Sequence, residues 1–389
     1  MVFAFCLDVC VVMMVLSSDN WHVDFPTLAD VVDAWIQAHC KQPDGFNRGK
    51  PFVLADWQFW LAANRWRIRE DAKFVPPEEV TTDNPMVLNQ AFTYRQTLCV
   101  APQKTGKGPC AAAFVAAEAV GPTVFNGWAK KGDVYRCSDW GCSCGFEYAY
   151  LPGEPMGRPQ PSPLIQLTAN SEDQVLNMYR PLKAMVLLGA LKERLRVREG
   201  FIRVLNGDSD VSDAADLDRI DIVTSSARSR LGNPITDAEQ DEAGLYTSSN
   251  GMVQVAQTQR RGAAGMGGRT HAWTNAYDPT ENSYAQQIVE SGDPDVFVFY
   301  RNPDLAPELR REDGSLMSFL KRSERRKILE YVYKGSPWVD LDSIEAEAAS
   351  LLKTDPSQAE RFFGNRLVQG AGAWIEEAQW AEAYGGYQD

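Results

Sequence analysis

Residues 101–108 read Ala101-Pro-Gln-Lys104-Thr-Gly106-Lys107-Gly108. A β-rich run, Tyr94 to Val100, leads into them. An Ala-rich helical run, Pro109 to Val120, leads out, with Gly121-Pro122 as its stop. A glycine-bearing turn between a strand and a helix N-terminus offers an anion free N–H groups and the positive end of the helix dipole. Gly106 lets the backbone approach phosphates, and Lys107 reaches the β- and γ-phosphates as a point charge. The standard pattern begins with Gly and ends with Ser or Thr. Here Ala101 and Gly108 stand instead, so one expected magnesium ligand is missing. The alternative is an ordinary strand–helix turn.

Working outward, the chain alternates strands and helices. Leu164 to Thr168 reads as a buried strand. Ser171 then caps a helix, with Gln174 three residues on to complete a capping box. Phe201 to Leu205, Ile220 to Thr224, Arg269 to Ala276 and Asp295 to Tyr300 read as further strands. Strands spaced by helices imply an α/β fold with a mostly parallel sheet. Upstream, Thr27 to Ala38 has helical periodicity and a second helix runs from about Ala55 to Ile68. Residues 126–163 read as an insertion. After Leu316 the pattern is helical only: Ser318 to Tyr333, Asp342 to Leu352 and Ser357 to Asn365. The expected organisation is a leader over 1–18, an α/β domain over 19–316, a helical lid or linker over 317–375 and a tail over 376–389.

Four further features bear on chemistry. Gln240-Asp241-Glu242 is an acidic pair suited to a nucleotide hydrolase. Asp241 would hold Mg²⁺ through water and Glu242 would polarise the attacking water. The residues before it, Ile235-Thr-Asp-Ala-Glu-Gln, are poorly apolar for a central strand, and a solvated acidic turn is the competing reading. Gln58 lies upstream, where its amide could read an adenine edge. Thr274-Asn275 closes a strand, where polar residues can sense a γ-phosphate. Arg228, Arg230, Arg260, Arg261 and Arg269, with the basic run Lys321 to Lys327, are candidates for phosphate contacts or an arginine finger.

The chain has 389 residues, with 39 Lys plus Arg against 52 Asp plus Glu, a net charge of −13. That excludes a protein that coats nucleic acid through bulk positive charge. Eight cysteines show no secreted framework. Cys137, Cys142 and Cys144 cluster within eight residues and could bind zinc. No fourth ligand is near in sequence, and the only histidines are His22, His39 and His271. A reduced β-hairpin is the plainer reading. Met1 to Leu16 is almost wholly apolar but lacks a positive start. It is expected to be a non-native leader, with a membrane anchor as the alternative.

In their joint order these motifs resemble the large terminase subunit of tailed bacteriophages, of the actinobacteriophage type. The resembling stretches are Pro51-Phe-Val-Leu-Ala-Asp-Trp-Gln58, Ala101 to Lys107, Gln240-Asp-Glu-Ala-Gly-Leu-Tyr246 and Thr258-Gln-Arg-Arg-Gly-Ala-Ala-Gly265. Thr274-Asn-Ala-Tyr-Asp-Pro279 and Ser357-Gln-Ala-Glu-Arg-Phe-Phe-Gly-Asn-Arg366 complete the set. The resemblance implies an N-terminal packaging ATPase with a P-loop fold of the additional-strand, catalytic-glutamate class. It implies ATP and Mg²⁺ as cofactors, with Gln58 on adenine and the loop Gln103, Lys104, Thr105, Gly106, Lys107 and Gly108 on phosphate. Asp241 would serve Mg²⁺, Glu242 would be the base, and Thr274 and Asn275 would couple. A trans-acting arginine would come from Arg228, Arg230, Arg260 or Arg261. The implied partners are double-stranded phage DNA, a portal protein, a small terminase subunit and copies of this chain in a ring, a pentamer in this family. The setting would be the host bacterial cytoplasm during virion assembly, with no membrane. The chain stops about where such subunits continue into a nuclease domain, so no nuclease activity is expected of it. A helicase-type ATPase and an inactive, truncated prophage remnant are the rival readings.

Overall fold

The computed structural model describes residues 21–85, 91–205, 217–224 and 234–370. The expected leader and the 376–389 tail lie outside the described residues. The centre is an eight-stranded sheet in the order β12-β1-β11-β10-β6-β9-β8-β7. Its strands are β1 (Gln96–Val100), β6 (Leu164–Thr168), β7 (Leu195–Val197), β8 (Phe201–Val204), β9 (Arg219–Val223), β10 (Asp237–Asp241), β11 (Arg269–Thr274) and β12 (Val296–Tyr300). From β12 to β9 every neighbouring pair is parallel, and β8 and β7 add an antiparallel edge. This is the mostly parallel α/β fold expected from the sequence.

Helices cover both faces. On one lie α1 (Ala29–His39), α2 (Asp56–Arg65), α3 (Lys107–Val120) and α4 (Glu172–Leu188). On the other lie α5 (Met252–Gly265) and α6 (Tyr284–Ser291). Strand periodicity sorts the side chains between two cores. Cys99, Ile165 and Leu167 join the α1–α4 core, while Leu98, Val100 and Ala272 join the α5–α6 core. Ser171 caps α4 as expected, accepting from the Gln174 N–H. The reciprocal half of the capping box is not made, because Gln174 Oε1 is buried without a partner among the described residues.

The 126–163 segment forms two small ribbons beside the main sheet. In one, β2 (Val124–Trp128) pairs with β5 (Pro155–Arg158); in the other, β3 (Val134–Arg136) pairs with β4 (Glu147–Ala149). The C-terminal helices α7 (Arg322–Val332), α8 (Leu341–Leu351) and α9 (Pro356–Phe362) share their own core, which includes Leu309, Phe319, Ile328 and Phe363.

The strand that the composition argued against is real and central. All five residues of β10 are buried between β11 and β6. Arg65, at the end of α2, makes this possible. It donates to Glu239 at 2.6 Å, to Asp237 at 3.3 Å and to Glu118 of α3 at 3.2 Å. Arg269 donates to Glu118 at 2.7 Å, and the Trp66 and Trp273 indoles donate to Glu118 and Glu239. Burial, with Arg65 and Arg269 beside it, holds His271 neutral. An Nε2–H tautomer then lets it face Asp237 Oδ1 at 3.2 Å while accepting from the Thr97 hydroxyl. A buried ion pair stripped of one partner leaves an uncompensated charge. Arg65→Met is therefore expected to cost about 3–5 kcal/mol of unfolding free energy. Arg95→Met, at the exposed pair with Asp295, should cost about 1 kcal/mol or less. Denaturant titration of both variants checks the contrast.

Candidate functional site

The 101–108 loop leaves the carboxyl end of β1 and enters α3 at Lys107. Gly106 takes φ +89° at the helix N-cap, a left-handed conformation that suits glycine. Lys104 also has positive φ, at +68°. The Thr105 hydroxyl donates to the Pro102 carbonyl at 2.8 Å, closing the turn on itself. Lys107 Nζ is drawn inward, donating to the Ala101 carbonyl at 2.6 Å, the Pro102 carbonyl at 2.9 Å and Asn275 Oδ1 at 2.9 Å.

The parallel register brings the acidic pair and the Thr274-Asn275 dipeptide to the same edge, because β10 and β11 end beside β1. Asn275 stands between two groups. It accepts from Lys107 and donates Nδ2 to both Glu242 oxygens at 3.2 Å. Thr274 Oγ1 accepts from the Gly244 N–H at 3.0 Å and so ties down the turn after Glu242. Glu242 itself adopts φ +55°, ψ +43°. That is uncommon for a residue with a side chain and costs on the order of 1 kcal/mol or more. Burial, then the neighbouring Glu242 carboxylate, push Asp241 up to about 7, against the pull of Lys107. Two carboxyl groups thus face one ammonium, an excess of negative charge that fits a cation.

Asn177 of α4 completes this edge, and nothing in the sequence pattern singles it out. Its side chain lies beside Asp241 and pulls that carboxyl's pKa down, against the effect of burial. Its carbonyl would stand 2.5 Å from a Cβ placed on Gly108. The missing loop hydroxyl therefore has a steric cause: α4 crosses the first turn of α3 too closely for any side chain there.

A cleft of about 490 Å³ opens beside the loop, lined by Gln58, Lys104, Gly106, Pro109, Phe46, Phe52 and Trp338 among others. Gln58 is one of its lining residues. Its Oε1 accepts from the Ala55 N–H at 3.0 Å, which fixes the amide orientation. Trp338, between α7 and α8, comes within 3.3 Å of where a Gly106 Cβ would be. The Tyr333 hydroxyl donates to the Gln103 carbonyl at 2.8 Å, and the Gln103 N–H donates to the Phe362 carbonyl at 2.8 Å. The helical region expected as a lid or linker thus grips the loop directly.

Among the described residues, the arginine candidates do not converge here within one chain. Arg228 and Arg230 lie outside the described residues. Arg260 pairs with Asp293 at 3.5 Å, and Arg261 donates to Thr258 on its own helix. Both sit near the end of α5 that leads into β11, opposite the edge where β11 delivers Thr274. Arg269 is buried in the ion cluster under β10 and is no phosphate ligand. On α7, Arg322 and Arg326 pair with acidic residues of α8, as a solvated helix face would.

No family model matches the sequence. The chain is 23% identical to the Gene 13 protein of Mycobacterium phage D29, across 94% of this chain and 60% of that protein. It is 23% identical to the Gene 13 protein of Mycobacterium phage L5, across 93% and 59%. The chain thus spans about 60% of the length of these curated relatives. Among solved structures, the HK97 bacteriophage large terminase is similar in fold, with a TM-score of 0.55 and 15% identity. The match covers 88% of this chain and 55% of that one. The resemblance to phage large terminases, drawn from the order of the motifs, is therefore borne out by a shared fold.

Proposed function

We propose that this chain hydrolyses ATP as the motor subunit of a phage terminase and drives double-stranded DNA into a procapsid. The observation that carries this reading is the contiguous set Lys107–Asn275–Glu242, held at the carboxyl edge of a parallel sheet beside a glycine-bearing loop. Such an edge is where α/β sheets bind ligands.

Each group then has a role. The N–H groups at the start of α3 hold the β-phosphate, and Lys107 exchanges its loop carbonyls for phosphate oxygens. Gln58 and Trp338 flank the cleft for the base. Asp241, with the Asn177 amide beside it, would hold Mg²⁺, Asn177 taking the place of the loop hydroxyl that Gly108 cannot carry. The ion, when bound, neutralises developing charge on the phosphates. Glu242 orients the attacking water and accepts its proton. When Lys107 moves to phosphate, Asn275 loses that contact and keeps only its amide donor on Glu242, which links nucleotide state to the β11 edge. DNA, portal, small subunit and a pentameric ring of this chain in the host cytoplasm are the partners and setting of this proposal. In this reading Arg260 or Arg261, at the sheet edge opposite their own loop, would serve a neighbouring subunit.

Steady-state ATP hydrolysis with Mg²⁺, with and without linear duplex DNA, tests the reading. Glu242→Gln should lower turnover by roughly 10²–10⁴-fold with nucleotide binding retained. Lys107→Ala should abolish binding and turnover together. Turnover unchanged in both variants would sink the assignment. ATP binding that needs Lys107 but never leads to turnover, with DNA present, would favour the inactive-remnant reading.

Restoring the standard loop should harm this protein. A Gly108→Ser side chain meets the Asn177 carbonyl, so a loss of about 1–3 kcal/mol is expected, as for other overpacking substitutions. Gly108→Ala should lose as much, because the clash is at Cβ. Thermal melts of the two variants settle this, and a stabilised Gly108→Ser would refute it.

A further inference from the structure

Cys137, Cys142 and Cys144 lack a fourth ligand in their own segment, but the fold delivers one from far upstream. His39 is the last residue of α1. Its Nε2 lies 3.1 Å from Cys144 Sγ, 3.4 Å from Cys137 Sγ and 3.8 Å from Cys142 Sγ. All four ligand atoms fall within 4.8 Å of one another. A tetrahedral zinc ion, with Zn–S of about 2.3 Å and Zn–N of about 2.0 Å, separates its nitrogen and sulfur ligands by roughly 3.5 Å. We propose that His39, Cys137, Cys142 and Cys144 form a structural Cys₃His zinc site that fastens the 126–163 segment to the end of α1.

The surroundings fit a metal better than four idle side chains. His39 Nδ1 is 2.8 Å from the Trp35 carbonyl. That bond takes the ring proton to Nδ1 and leaves the Nε2 lone pair aimed at the three sulfurs. The Cys142 N–H donates to the Cys137 carbonyl at 3.1 Å, forming a tight turn that presents both thiols on one side. The Phe146 N–H donates to Cys144 Sγ at 3.4 Å, a contact that favours a thiolate. Three thiolates and one Zn²⁺ carry a net charge of −1. Arg194, which donates to the Trp140 carbonyl, brings a compensating cation. Trp35 stacks on the His39 ring at 4.3 Å and Phe146 meets it edge-on at 5.6 Å, so the wall is aromatic. With four protein ligands the shell is complete, which marks a structural rather than a catalytic site.

A second acidic and histidine group, Glu118, Asp237 and His271, is also compact. Arg65 and Arg269 already supply its positive charge, so it has no call for a metal. At the Cys₃His site the nearby Arg194 bonds the Trp140 carbonyl, not a ligand atom. The site also explains how a segment of short strands, β2 to β5, keeps a fixed place against the helices.

The test is metal counting on the full chain, purified under reducing conditions without chelator. One zinc per chain is expected by mass spectrometry, falling to near zero in His39→Ala and Cys144→Ser. Cys40→Ser, adjacent to His39 but outside the set, should keep its zinc. Should the ligand variants fail to fold, cobalt exchange into the wild-type chain still decides: tetrahedral d–d bands with thiolate-to-metal charge transfer support the site. A folded, zinc-free wild-type chain whose melting temperature ignores added zinc overturns it. So does a disulfide joining two of the three cysteines in anaerobically purified protein.

Discussion

One buried guanidinium carries the architecture. Arg65, 1% exposed, neutralises carboxylates from α3 and from β10 at once. Without it, β10 could not lie in the middle of a sheet, since an unpaired buried carboxylate costs far more than the strand hydrogen bonds return. The same alternation that turns Asp237 and Glu239 toward Arg65 turns Asp241 toward the loop of Lys107. Ala238 and Gln240 face the other way, where Gln240 bonds Gln259 of α5 and Gln259 bonds Gln166 and Thr168 of β6. The strand is polar on both faces, and each face meets charged or amide partners. Such paired polar groups specify one register where a purely apolar strand could slip.

That network also marks the limit of what the sequence discloses. Strands β6 and β12 announce themselves by apolar runs, and β6 spans Leu164 to Thr168 as its composition suggests, whereas the short outer strand β7 is not legible in the sequence. The loop and the acidic pair are local patterns and could be placed. The burial of Asp-Ala-Glu-Gln-Asp depends on Arg65 and Arg269, which sit far off in sequence and look like surface arginines. Asn177 is equally silent, one polar residue on an amphipathic helix. Its role appears only when α4 crosses α3 at Gly108. His39 carries no motif, and only the packing of α1 on the 126–163 segment sets it among the cysteines. In each case the decisive partner comes from another element, so no local window contains the signal.

The C-terminal helices add a different constraint. Their core is separate, but Tyr333, Phe362 and Asn365 bond backbone of the loop and of the strands that bear on it. Asn365 Nδ2 donates to the Arg301 carbonyl, and Tyr300 donates to the Asn365 carbonyl. The loop is therefore held by the α7–α9 unit. A loop held in this way resists the rearrangement that ligand binding asks of it unless the helices move too.

The energetics of Lys107 point the same way. Its ammonium is buried, and burial lowers its affinity for a proton while Glu242 and Asp241 raise it. Three acceptors hold it, two of them carbonyls of its own loop. An incoming phosphate must offer more than those acceptors do, and when it does, Asn275 loses its link to Lys107 but keeps its amide donor on Glu242. The strained backbone at Glu242 is then held by Asn275 and by the Thr274 anchor alone. On the proposed reading, a second arrangement of Lys107 would change the support of this strained glutamate and so convert ligand occupancy into a change at the ends of β10 and β11.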